Sequence, residues 1–171
     1  MPYTEGTSST NQPDMERIVE QYGTTLLRMC FLYLKDKQLA EDAVQDTFIK
    51  VYRNYHQFQG QAHEKTWILR IAINVCKDYL RCAWHRKVTT VESLADVLEQ
   101  SSPPPAEDKL LVEKVMQLKP KHREVLLLYY YQDMKISQIA EILQTPESTI
   151  SVRLKRAREQ LKKQLEGWDW D

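Results

Sequence analysis

The sequence predicts an all-α protein: two small helical domains joined by an acidic, Pro-containing linker, the C-terminal one a helix-turn-helix. Three observations carry this expectation. Apolar residues recur at spacings of three and four through most of the chain, the period that gathers side chains on one face of a helix. Charge is segregated, with six cations and one acid in Lys65–Lys87 but five acids and no cation in Val88–Asp108. Within that acidic stretch, Ser101, Ser102 and the run Pro103–Pro105 interrupt every periodic pattern, as a connecting segment does. The expected organisation is therefore a disordered polar start (1–14), a first domain (15–87), a linker (88–106), a second domain (107–165) and an acidic tail (166–171) bearing Trp168 and Trp170.

In the first domain, Ile18, Tyr22, Leu26, Met29 and Tyr33 predict a helix over Met15–Leu34. Lys35–Gln38 reads as a polar turn. In the following stretch Leu39, Ala43, Val44, Thr47, Phe48 and Val51 face inward, which leaves Glu41, Asp42, Gln45, Asp46 and Lys50 as an outward, mostly acidic ridge. A loop with Phe58, Gly60 and His63 leads to a third helix over Thr66–Arg81, with Trp67, Ile68, Ile71, Val75 and Leu80 among its apolar positions. Its other face carries Arg70, Asn74, Lys77, Asp78 and Arg81. A tryptophan so near the start of an amphipathic helix reads as packing, and His63 as exposed polar surface.

In the second domain, Glu107–Leu118 and His122–Tyr131 are expected as scaffold helices, with Pro120 between them as a helix stop. Ile136, Ile139, Ala140 and Leu143 then mark a short helix, and Thr145 followed by Pro146 suits an N-cap with proline at the first helical position. In the next helix Ile150, Leu154, Ala157 and Leu161 form the inner stripe. Ser148, Thr149, Ser151, Val152, Lys155, Arg156 and Lys162 fall largely on the outer faces, and Arg153, Arg156 and Arg158 are the multidentate donors. Thr145–Leu165 holds six cations against two acids, so a chain of zero net charge has a cationic end. Short donors at the start of such a helix can reach base edges in the major groove, while later cations hold phosphates.

Composition limits the alternatives. The 171 residues are 42% hydrophobic and 28% charged, values of a water-soluble globular chain. The longest apolar run, Val125–Tyr131, is far too short to span a bilayer, and the polar N-terminus has neither the basic start nor the apolar core of a signal peptide. A cytoplasmic location is the expectation. Cys30, Cys76 and Cys82 lack metal-site spacing and read as small buried thiols. Gly6, Gly23, Gly60 and Gly167 make no phosphate loop, and His56, His63, His85 and His122 show no zinc-protease or triad-like pattern. No active site, metal, cofactor or small-molecule substrate is expected.

Four motifs in order, AEDAVQDTFIKVYRN, then FxG with KTWILRIAINVCKDYLR, then LKPKHREVLLL, then TPESTISVRLKRAREQL, resemble the extracytoplasmic-function (ECF) group of bacterial RNA polymerase sigma factors over nearly the whole chain. The resemblance implies that Glu41, Asp42, Gln45, Asp46, Phe48 and Arg53 dock on core RNA polymerase, where complementary charge would speed encounter and set register. It implies that Phe58, Lys65, Arg70, Asn74, Lys77 and Arg81 recognise and open the −10 promoter element, a task that needs a cationic track and a surface for an unstacked base. It further implies that Ser148, Thr149, Ser151, Val152, Arg153, Lys155, Arg156 and Arg158 read the −35 element. Val152 departs from the small polar residue the family often has there, and its methyl groups could meet a thymine methyl but donate no hydrogen bond. An anti-sigma factor, able to hold the protein near the membrane, is also implied. The remaining alternative is a stand-alone helix-turn-helix regulator, which would explain Lys135–Leu165 and leave the first domain without a role.

Overall fold

The computed structural model describes residues 12–60, 63–83 and 106–165. The expectations for the polar start, most of the linker and the Trp-bearing tail lie outside the described residues. Those described form helices α1 (Met15–Leu34), α2 (Lys37–Asn54), α3 (Glu64–Ala83), α4 (Ala106–Gln117), α5 (Pro120–Leu126), α6 (Ile136–Leu143) and α7 (Glu147–Gln164), with no strand among them. A 3₁₀ turn, Tyr55–Gln57, follows α2, and a π-helical turn, Leu127–Tyr131, continues α5.

Caps fix the first two helices. The Asp14 carboxylate accepts from the Arg17 N–H at 3.1 Å, opening α1. Lys35 closes it in the left-handed conformation (φ 60°), its N–H bonding the Phe31 carbonyl at 2.7 Å. Asp36 at once caps α2 by accepting from the Leu39 N–H at 2.9 Å. The turn is thus Lys35–Asp36 alone, and Lys37 and Gln38, expected in it, belong to α2. Ile18, Leu26 and Met29 of α1, Ala40, Ala43 and Val51 of α2, and Ile68, Leu69 and Ile73 of α3 are sealed from solvent between these helices. Thr47 is equally buried, and its hydroxyl is satisfied by donating to the Ala43 carbonyl at 2.7 Å.

The second domain begins differently from expectation. Pro120 is the first residue of α5 rather than a spacer: it forces Lys119 into an extended conformation, which ends α4, and lacks an N–H where a first-turn residue needs none. At the far end, Gln132 N–H reaches the Leu127 carbonyl at 3.0 Å, and this wider turn spreads the three tyrosines 129–131 around the helix end. Gln138 reaches back to accept from the Lys135 N–H at 2.9 Å, opening α6. Gln144 (φ 49°) makes the turn into α7. Here the cap is Pro146, whose carbonyl accepts from the N–H groups of Thr149 and Ile150. Thr145 does not cap, because its hydroxyl donates back to the Leu143 carbonyl at 3.0 Å. The expected inner stripe of α7 is buried throughout and packs with Val125, Leu128, Ile139 and Ile142.

The two domains touch. Helix α3 packs on α6, and α1 on α5, so the apolar core is continuous between them.

Candidate nucleic-acid interface

Helix α7 presents its exposed side as a ridge. Ser148, Ser151, Val152, Lys155 and Arg156 are exposed, Val152 at 47%, while Thr149 is half-buried. No side chain caps the N-terminus of α7, so its first N–H groups are unclaimed by a capping side chain. The three expected arginine donors separate. Arg156 lies on the ridge. Arg153 turns to one flank, half-buried, with Nη1 3.7 Å from Glu124 Oε1. Arg158 turns to the other, where Nε donates to the Tyr130 hydroxyl and the guanidinium lies 5.3 and 5.4 Å from the ring centroids of Tyr129 and Tyr130. That cation–π contact fastens α7 to the π-helical turn.

On the first domain, Arg70, Asn74, Lys77 and Arg81 line one side of α3 at helical spacing. Asn74 and Arg81 are exposed and Arg70 and Lys77 half-buried, with Arg81 paired to Asp78 at 3.2 Å. Phe58 does not stand alone in the preceding loop. It forms an aromatic trio with Tyr55 and Trp67, centroid separations being 5.3–5.8 Å. Trp67 is half-buried and packed against the core, as expected, and forms the floor beneath Phe58. Gly60, at φ 71°, allows the loop its left-handed step, and His63 is exposed.

What holds this loop is a knot on Glu64, the first residue of α3. Its carboxylate accepts both terminal nitrogens of Arg17 at 2.9 and 2.8 Å, the Tyr22 hydroxyl at 3.1 Å and the Tyr55 hydroxyl at 2.7 Å. The Arg17 guanidinium, and secondarily the two phenols, hold the Glu64 carboxyl down at about 2. The knot joins α1, the 3₁₀ turn and α3, clamping both ends of the loop that bears Phe58. Lys65 reaches across the domain boundary instead, donating to the Gln132 carbonyl at 3.3 Å.

The acidic ridge of α2 is only partly outward. Gln45 and Arg53 are exposed, whereas Glu41 and Asp42 are half-buried. Asp46, expected to point outward, accepts from the Tyr79 hydroxyl of α3, and Phe48 packs against the core. The pairing of α2 with α3 draws these two side chains in.

Residues 18–86 match the family described as Sigma-70 region 2, and residues 108–161 match Sigma-70, region 4. The chain is 32% identical to the ECF RNA polymerase sigma factor SigW of Bacillus subtilis, over 86% of this chain and 87% of that protein. It belongs to the ECF sigma factors. SigM of the same organism is 28% identical over 86% of this chain and 93% of its own. In fold it is similar to the sigma factor RpoE solved in complex with the anti-sigma factor NepR from Bartonella quintana, with a TM-score of 0.77, 21% identity, and 91% and 99% of the two chains covered. It is also similar to CnrH solved with the cytosolic domain of CnrY, with a TM-score of 0.68, 22% identity, and 94% and 93% covered.

Three features of this sigma factor escape a reading of periodicity. On α2, Ile49 (48% exposed) and Tyr52 (54%) add an apolar strip beside Gln45 and Arg53. Their excess over the inward set was a usable signal, since a helix with two large apolar residues on its polar side has a partner or a cost. Cys82, expected as a buried thiol, is exposed in the last turn of α3 beside exposed Arg81, whereas Cys30 and Cys76 are buried as expected. Glu124, buried at the boundary between the domains, had no local signal at all.

Proposed function

We propose that this ECF sigma factor binds core RNA polymerase and promoter DNA, and directs transcription initiation in the cytoplasm without chemistry of its own. The observation that carries the reading is the exposed ridge Ser148, Ser151, Val152, Lys155 and Arg156 on a helix otherwise locked into its domain, in a chain that carries both sigma regions. That ridge suits the major groove at the −35 element, with Arg153 and Thr149 on one flank and Arg158 setting the helix in place. Residues 15–87 serve the other end. Phe58 over Trp67 offers a face for an unstacked base, and Lys65, Arg70, Asn74, Lys77 and Arg81 give a cationic, amide-bearing track for a melted strand at the −10 element.

Core polymerase is bound through α2, by Glu41, Asp42, Gln45 and Arg53 with the apolar strip Ile49 and Tyr52, while Asp46 and Phe48 support that helix from within. Polymerase performs the phosphoryl chemistry, and the sigma factor supplies binding energy for strand separation. Tethering two weak DNA readers makes the second contact effectively intramolecular. An anti-sigma factor is a partner by analogy with RpoE, solved in complex with one.

The reading is tested by adding the purified protein to core RNA polymerase. Transcripts from discrete start sites, absent with core alone, are expected; failure to bind core would overturn it.

A further inference from the structure

The first residue of α3 takes its place from α1. Both oxygens of the Glu64 carboxylate are used: Oε1 accepts from Arg17 Nη1 at 2.9 Å and from the Tyr22 hydroxyl at 3.1 Å, Oε2 from Arg17 Nη2 at 2.8 Å and from the Tyr55 hydroxyl at 2.7 Å. Arg17 is itself steadied, since Nη1 also donates to Gln21 Oε1 at 2.9 Å. A forked guanidinium–carboxylate pair fixes direction as well as distance, because its two parallel bonds resist rotation. Tyr22 is buried in the inner stripe of α1, so the carboxylate is referred to the core of its domain.

Tyr55 carries that position on to the aromatic trio. Its hydroxyl is held by Glu64, its carbonyl accepts from the Phe58 N–H at 2.9 Å, and its ring centroid lies 5.7 Å from that of Phe58 and 5.8 Å, edge-on, from that of Trp67. Glu64 and Trp67 are three residues apart and share one face of α3. Tyr55 is therefore pinned at its hydroxyl end by the carboxylate, and it closes the third side of a trio whose other members, Phe58 and Trp67, stand 5.3 Å apart. Tyr55 and Trp67 both pack against the core.

We infer that Tyr55 and Glu64 are positioning residues for opening of the −10 element: steadied by the Arg17 fork, they hold Phe58 over Trp67 in the arrangement that receives an unstacked base. The inference rests on the role given to that pair under the proposed function. A surface built beforehand binds better, because every side chain that must be ordered on binding subtracts from the energy left for strand opening. All four bonds to Glu64 come from within the protein, so it acts through Tyr55 and Phe58 and not on the base itself. Stability and positioning are separable effects of the same knot. Loss of folded protein lowers every step in proportion, whereas a misplaced Phe58 lowers opening alone.

The test uses holoenzyme reconstituted from core polymerase and the full chain, as wild type, Tyr55→Phe, which removes only the hydroxyl, Glu64→Gln, which removes the charge, and Phe58→Ala. Circular dichroism first establishes that each variant is folded at the assay temperature; Tyr55→Phe serves if Glu64→Gln is not. A fluorescent base analogue in the −10 element reads the rate of opening, and transcription is compared between a paired promoter and the same promoter with its −10 pairs mismatched. Tyr55→Phe and Glu64→Gln are expected to slow opening of the paired promoter about three- to ten-fold, part of what a hydrogen bond to a charged group contributes. Core affinity and initial promoter binding are expected to stay within about two-fold of wild type, and the mismatched promoter to be transcribed as by wild type. Adding Tyr55→Phe to Phe58→Ala is expected to cost nothing more, since the hydroxyl acts through Phe58. Unaltered opening by the folded Tyr55→Phe variant, or an equal deficit on paired and mismatched promoters, would overturn the positioning role. If Phe58→Ala opens the promoter at the wild-type rate, the base-receiving pair falls and the inference with it; if Phe58→Ala is slow and Tyr55→Phe is not, the inference alone falls.

Discussion

Replacing Glu64 by glutamine keeps the shape of the side chain and removes its charge, and so tests whether the knot beneath the −10 loop is electrostatic. Four bonds end on this carboxylate, two from Arg17 and one each from Tyr22 and Tyr55. The folded protein holds the group at about 2, against an ordinary 4.5. Because the folded value is depressed, the stabilisation is present above the ordinary value and is lost as pH falls from about 4.5 towards about 2. Taken whole, that shift would correspond to roughly 3 kcal/mol at ~1.4 kcal/mol per unit. The Arg17 side chain is 43% exposed and that of Glu64 17%, so solvent screening reduces this to about 1–2 kcal/mol. For a domain of this size each 1 kcal/mol lowers the melting temperature by about 4–8 °C. Differential scanning calorimetry of wild type and Glu64→Gln at neutral pH, repeated down to mild acid, reads it directly. A melting temperature within about a degree of wild type at neutral pH, or a gap that does not narrow below about 4.5, would refute the electrostatic knot.

Other expectations follow from the same geometry. Arg156→Ala on the α7 ridge should weaken −35-dependent initiation by about 1–3 kcal/mol if the side chain forks onto a base, or flatten the salt dependence of DNA binding by about one unit if it holds a phosphate, as filter binding across a salt series would show. Arg158→Ala should act through stability, since its guanidinium packs on Tyr129 and Tyr130; a loss of about 0.5–1 kcal/mol in urea melts is expected. Ile49→Asp with Tyr52→Ala should weaken association with core polymerase in surface plasmon resonance while leaving the melting temperature near wild type, because both side chains are already exposed.

How much of this was legible beforehand follows from what periodicity records. A spacing of three and four marks the side of a helix that faces its own domain, and so the stripes of α1 and α7 were readable residue by residue. It says nothing of where a polar residue finds its partner. Asp46, Arg153 and Arg158 all look like surface residues in sequence, yet each is turned aside by a partner distant along the chain: Tyr79, Glu124 and Tyr130. Glu124 itself follows Lys121, His122 and Arg123 in a helix start, yet it is buried, with Tyr33 of the other domain and Arg153 of its own at its carboxylate. The helix junctions at Pro120 and Pro146 differ from the sequence expectation by a residue or two for a different reason. Pro120 and Pro146 each restrict the residue before them and can serve either to end one helix or to begin the next, and local sequence does not choose between these.

The central claim, that one chain carries both promoter-reading surfaces on behalf of polymerase, is met most directly by footprinting a reconstituted holoenzyme on a promoter that it transcribes. Protection is expected at both the −35 and −10 elements, with reactive unpaired bases at the latter, and Arg156→Ala should remove the upstream protection alone. Protection of a single operator-like site by the free protein, unchanged when core polymerase is added, would contradict it.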